Sequence, residues 1–216
     1  MVTVLKGLAM NDLEALYQKA GDLHGSICAG IILGVRMARL GCNMVNLEEP
    51  LRAENRKKLM VLVETDRCAT DGIQTVTGCT IGRRTLKVMD YGIMAATFIN
   101  LDSQKAIRIA IHPDSRERAK ALFPHLTDKN RVYIEAYKRL PDESLFTSEE
   151  VRVHISDLEL PGPPPKKSTC TLCKEEIIEG REIRQEGKTL CRRCARLPLY
   201  YHAVRKVPIT GFKIAD

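Results

Sequence analysis

Apolar positions along the chain change their spacing several times, and each change marks an element. Leu13, Leu16, Tyr17 and Ala20 recur at three- and four-residue steps, which predicts a first helix capped by Asn11 or Asp12 and broken at Gly21-Asp22. Ile27, Ile31, Val35 and Ala38 repeat that spacing in a second helix, opening near His24 and stopping at Gly41. Pro50 predicts a further helical start over 51–56. From 59 to 64 the apolar run is continuous and rich in branched residues, the pattern of a strand buried on both faces. Cys68 then opens a short helix closed at Gly78, and 85–90 and 93–98 flank Tyr91-Gly92 as a hairpin by composition. Ile107, Ile109 and Ile111 alternate along the strand 105–111. Helices over 115–123 and 127–140 follow, the second closed by Pro141, and 151–155 reads as a last strand.

Helices and strands are interleaved, and the strands between 85 and 111 are consecutive, hence expected to be antiparallel. The predicted class is therefore α+β: a mixed β-sheet flanked by helices, plus a small C-terminal finger. The boundary lies where composition shifts, at Pro161-Gly162-Pro163-Pro164-Pro165-Lys166-Lys167-Ser168, a stiff polar linker. This divides the chain into a core (1–160), a linker (161–168) and a finger (169–216).

Apolar residues at 44% and charged residues at 28% are the proportions of a soluble globular protein, and no run approaches the ~20 apolar residues of a membrane span. No membrane partner is expected. Met1 to Gly7 lacks a long apolar stretch, so no secretory signal is read there and the expected location is cytoplasmic. In that reducing compartment, eight cysteines point to metal binding or catalysis rather than disulfides. The net charge of +7 is concentrated at the end: residues 166–216 hold 12 Lys and Arg against 6 Asp and Glu. A basic tail fits nucleic acid, an acidic partner or a solvated small module. The absence of tryptophan and an aromatic content of 5% disfavour a base-stacking platform, so nucleic acid is a less favoured partner.

The sharpest pattern is Cys170-Thr171-Leu172-Cys173, seventeen intervening residues, then Cys191-Arg192-Arg193-Cys194. Two such knuckles converge four thiolates, which saturate Zn²⁺ and leave no open position, so this is a structural zinc site. Residues 177–183 and 188–190 supply a hairpin, and an amphipathic run from Cys194 to Val204 completes a finger that resembles a treble clef. A module this small has too little core to fold well without the metal. Arg192, Arg193, Arg196, Arg205 and Lys206 are either phosphate contacts or a solvated face.

A second constellation lies in the core. His24 and Cys28 are four apart and share one face if the helix begins near His24. Cysteine in a first turn sits in the positive end of the macrodipole, which favours thiolate. Cys68, Asp71 and Gln74 follow one another at single-turn steps after the apolar strand, where α/β-type sheets place their sites. Cys79 stands in the next loop beside Arg83-Arg84. The expectation is that His24, Cys28, Cys68 and Cys79 converge and hold a second zinc or another divalent metal with an open position. Asp71 and Gln74 would orient a ligand or meet substrate, so the catalytic candidates are His24, Cys28, Cys68, Asp71 and Gln74. The small residues around them leave room for something to approach the backbone. Cys42 is read as packing, and His112, His125, His154 and His202 as lone histidines.

These residues, His24-Gly25 with Cys28, Gly30 and Gly34, then Glu64, Cys68, Asp71, Gln74, Gly78-Cys79-Thr80 and Gly82, then Asp90 and Gly92, resemble the FmdE family of formylmethanofuran dehydrogenase subunits over roughly 15–155. Some members carry a C-terminal zinc finger as well. Ala29 and Arg83-Arg84 depart from the proline and lysine-glycine common in that pattern. The resemblance implies a mixed sheet of a thioredoxin-like kind, a metal-binding site in the core, and association with molybdenum- or tungsten-dependent dehydrogenase subunits in one-carbon oxidation. A homodimer is expected. Whether the chain is catalytic, an accessory subunit, a docking module or a nucleic-acid-binding regulator stays open at this point.

Overall fold

The structure, a computed structural model, describes residues 12–163 and 166–205. The alternative cap Asn11, the segment Met1 to Gly7, Pro164-Pro165 and Lys206 lie outside them. Two compact units divide the chain, Met1–Gly162 and Pro163–Asp216.

In the first unit, α1 (Leu13–His24) is capped by Asp12, whose carboxylate accepts from the Ala15 N–H at 3.1 Å. The helix does not break at Gly21-Asp22. Gly21 is a contact point instead, since a Cβ there would lie 2.6 Å from Ile27 Cγ1. Gly25 ends α1 in the left-handed conformation, φ 93°, which glycine adopts without cost. The next helix, α2 (Ala29–Met44), therefore starts later than the spacing predicts, with Cys28 as its cap. It also runs past Gly41, because that glycine lies against the Phe98 ring, 2.3 Å from where a Cβ would sit. Residues 51–56 form successive turns rather than a helix. Between Leu51 and Leu59 the sequence is polar apart from Ala53 and has no apolar face to bury.

One sheet of five strands organises the unit, in the order β2-β1-β3-β4-β5: β1 (Leu59–Val63), β2 (Leu86–Val88), β3 (Ala95–Asn100), β4 (Ala106–Ile111) and β5 (Phe146–Glu150). The β2–β3 hairpin read from composition does not form. β1 lies between them, parallel to β2 and antiparallel to β3. A fully apolar strand gains most where it is paired on both edges, and the short β2 takes the edge. The last strand also falls earlier than expected. Residues 146–150 pair with β4, while Val151, Val153 and Ile155 pack on Met60, Ile99 and Ala106 of the open face.

The other face carries Val61, Val63, Phe98, Ile107 and Ile109, and every long helix packs there: α1, α2, α3 (Ala69–Thr77), α4 (Ser115–Leu122) and α5 (Lys129–Arg139). A short α6 (Asp142–Leu145) leads into β5. Arg36 of α2, 6% exposed, clamps the end of α5. It donates to the Tyr137 carbonyl at 2.6 Å, to the Leu140 carbonyl and to the Asp142 carboxylate. Among the described residues no helix is long and apolar enough to cross a membrane.

The second unit holds two hairpins, β6 (Lys167–Thr169) with β7 (Glu176–Ile178) and β8 (Ile183–Gln185) with β9 (Lys188–Leu190). Its core is four residues, Cys170, Ile177, Leu190 and Ala195. The helix expected after Cys194 is replaced by turns. Arg196 is left-handed (φ 57°), Pro198 follows, and the Arg192 side chain donates to the Pro198 carbonyl.

Gly34 is the tightest point of the fold, since a Cβ there would lie 2.1 Å from the Ala69 carbonyl oxygen. Gly34→Ala is expected to cost about 1–3 kcal/mol in urea unfolding followed by circular dichroism. Gly82→Ala, where a Cβ meets nothing, is the control and should stay within about 0.5 kcal/mol.

Candidate metal centres

Three element ends meet at the core site. His24 is the last residue of α1, Cys28 caps α2 and Cys68 caps α3. One donor atom from each lies within 4.8 Å of the others. Histidine and Cys28 therefore reach one another across the Gly25 turn, not along one helix face as their spacing implies. The approach that the small residues allow is that of Cys68 itself. A Cβ on Gly30 would lie 2.9 Å from Cys68 Cβ and 3.7 Å from Cys28 Sγ.

Asp71, in the first turn of α3, places Oδ2 2.7 Å from His24 Nδ1. This fixes the imidazole and leaves Nε2 free for a ligand bond, the arrangement by which carboxylates orient metal-binding histidines. Gln74 stands one turn further on, half-buried, and its side chain makes no hydrogen bond among the described residues.

Cys79 is not part of the cluster. It is 3% exposed, its thiol faces the Leu59 carbonyl at 3.6 Å, and its neighbour is Cys42. Its position follows from Gly78, which ends α3 in the left-handed conformation and turns the chain into the core. Burial pushes the Cys79 thiol up to about 11 and Cys42 higher still, so both remain neutral. Cys68 is raised as well, by burial and by the adjacent Cys28 thiol. Two thiolates this close repel unless a cation sits between them.

The donor set is one imidazole and two thiols, all half-buried. Three protein ligands with solvent access suit a metal ion that keeps a fourth position open. In the C-terminal unit, Cys170, Cys173, Cys191 and Cys194 also bring their sulfurs within 4.8 Å of one another. The Cys173 N–H, ahead of burial and the N–H groups of Cys191 and Leu172, sets the Cys170 thiol down to about 6, so it is the readiest of the four to bind as thiolate. Four thiolates close the shell, which fits a metal ion of structural type.

Fold and sites define a two-unit α+β protein with two clusters able to hold metal ions, one open and one closed. The model of the FmdE family, described as "Molybdenum formylmethanofuran dehydrogenase operon", matches residues 23–147, more than half of the chain, and the chain belongs to that family. Every residue of the core cluster lies inside the match. A relative from Archaeoglobus fulgidus, described as a probable S-adenosyl-L-methionine-binding protein, is 28% identical over 198 residues. The match takes in 85% of this chain and 53% of the relative, so the chain spans about half that protein's length. The crystal structure of an FmdE-like protein of tungsten formylmethanofuran dehydrogenase, from Syntrophus aciditrophicus, shares the fold, with a TM-score of 0.59 at 19% identity. It covers 85% of this chain and 92% of that one.

With metal removed, a thiol reagent at pH 8 should label Cys28 and Cys68 before unfolding and spare Cys42 and Cys79. The protection of the last two should persist until pH rises toward 11, because their raised values keep them protonated below it. Peptide mapping after labelling reads the order, and early labelling of Cys79 would contradict its burial.

Proposed function

We propose that the core cluster of His24, Cys28 and Cys68 holds a divalent metal, zinc first among candidates, with one position open to substrate. The chain then acts as a catalytic or accessory component of molybdenum- or tungsten-dependent one-carbon metabolism. The observation that carries this reading is the convergence of three donors from three element ends, with the Asp71 carboxylate on the histidine. When bound, such a metal supplies a Lewis acid whose water is acidified to a pKa of about 7. His24 and the two thiols hold it, Asp71 keeps the imidazole oriented, and Gln74 is left to meet whatever binds beside it. The four-cysteine cluster holds a second zinc of structural role.

Membership of the family supports association with dehydrogenase subunits. Val88, Met89, Tyr91 and Ile93, exposed in one loop, favour a docking role alongside the metal site. S-adenosylmethionine, named for a relative about twice this length, is a probe ligand for the core unit on the same footing.

Metal analysis of the full chain tests the reading. Wild type should carry two equivalents, one per cluster. Cys28→Ser with Cys68→Ser should carry one, with the circular dichroism of the core unchanged. Asp71→Asn should weaken the core metal by about 10–100-fold while leaving the other in place. An unchanged metal content in the Cys28/Cys68 variant would overturn the proposal.

A further inference from the structure

Ala29 and Gly30, the first residues of α2, do more than border the metal cluster. They also line a cavity of about 570 Å³, within the ~300–1,000 Å³ typical of small-molecule sites. Gly30 is common to both places. A Cβ there would touch Cys68 and approach the Cys28 sulfur, so the cavity wall and the ligand shell are one residue apart.

The lining has a definite chemistry. Leu33 and Met94 give it apolar walls. Tyr133 and Tyr137 form a stacked pair along one side, centroids 5.7 Å apart and planes 21° from parallel. Tyr137 is buried, its hydroxyl engaged by Ser115 and Arg116, whereas Tyr133 is half-buried and offers ring surface. The Arg36 clamp on the end of α5 ties this pair to α2 and hence to the cluster. Arg116 stands exposed at the rim without an ion pair among the described residues. No carboxylate lines the cavity. The first turn of α2 has no acidic residue and its cap makes no side-chain hydrogen bond, so its N–H groups add to the positive potential.

We propose that this cavity is the substrate chamber of the metal site. It takes a small organic anion carrying a flat unsaturated ring, the ring against Tyr133 and the carboxylate or phosphate at Arg116. This rests on the metal reading above. His112, a lone histidine by sequence, lies in the same wall. Both its nitrogens are engaged, by the Asp114 N–H at 3.1 Å and by Arg118 at 3.3 Å, so it shapes the chamber rather than reacting in it.

The test uses the full chain, metal-free and cobalt-substituted, with four probes: 2-naphthoate, 2-naphthyl phosphate, cyclohexanecarboxylate and 2-naphthalenemethanol. The two naphthyl anions should bind saturably, with amide shifts at Gly30, Leu33 and Arg116 in nitrogen-15 spectra. They should bind about tenfold or more tightly than the saturated acid or the neutral alcohol. Arg116→Ala should remove the preference for charge but leave the alcohol unaffected, and Tyr133→Leu should remove the preference for a flat ring. Phosphate and carboxylate probes bound to different extents identify the anionic group. Naphthoate should also shift the visible bands of the cobalt site. Equal affinity for all four probes, absence of saturable shifts, or binding that leaves the cobalt bands unchanged would overturn the assignment. Failure of the cobalt to load is seen before any probe is added and overturns the metal reading instead.

Discussion

Two helices that touch through glycine set the geometry of the core site. A Cβ on Gly34 would collide with the Ala69 carbonyl, and one on Gly72 would lie 2.8 Å from the Ile31 carbonyl. The backbones of α2 and α3 thus meet without side chains between them, closer than ridge-and-groove packing of larger residues permits. Their N-termini come together as a result, and each is capped by a cysteine. Two positive helix ends side by side are unfavourable unless negative charge answers them. The first turn of α2 supplies none, and α3 supplies only Asp71, which is engaged with His24. Thiolates at positions 28 and 68 complete the balance, so the packing that creates the pocket also selects its ionic state.

Elements are legible in the chain where a residue's local chemistry agrees with its tertiary role. Gly78 closes α3 and Asp12 caps α1, because left-handed turns and free N–H groups are local matters. The apolar run of β1, the alternation of Ile107, Ile109 and Ile111, and the four-cysteine pattern are likewise local. Glycine that serves packing instead reads falsely as a stop. Gly21 and Gly41 lie inside helices because Ile27 and the Phe98 ring press against them, which no sequence window reveals. Strand order is also out of reach, since the turn chemistry of Tyr91-Gly92 looks the same whether β2 and β3 pair with each other or with β1 between them. At the site, residue type alone picks out His24, Cys28, Cys68 and Asp71, but it takes in Cys79 as well. The signal that separates them is burial behind the left-handed Gly78.

The two cysteine clusters solve different problems. In the C-terminal unit the apolar core is four residues, too small to offset the chain entropy of some forty described residues. Its folding free energy is therefore largely the metal's, and the thiols occupy turns that have no reason to close otherwise. The core unit has a sheet buried on one face by five helices and stands without a metal. A ligand set there is free to be incomplete.

That freedom has a cost at the thiols. Without a cation, burial and the neighbouring sulfur hold Cys68 protonated, and Asp71 raises it further. Metal entry must then displace protons, so affinity falls as the solution is acidified. The Asp71 carboxylate works in both directions. It opposes a second negative charge on the empty cluster, yet it strengthens His24 as a donor once a cation is present. The same side chain thus widens the gap between the empty and filled states, which makes the cluster selective for a strongly bound divalent ion over a proton.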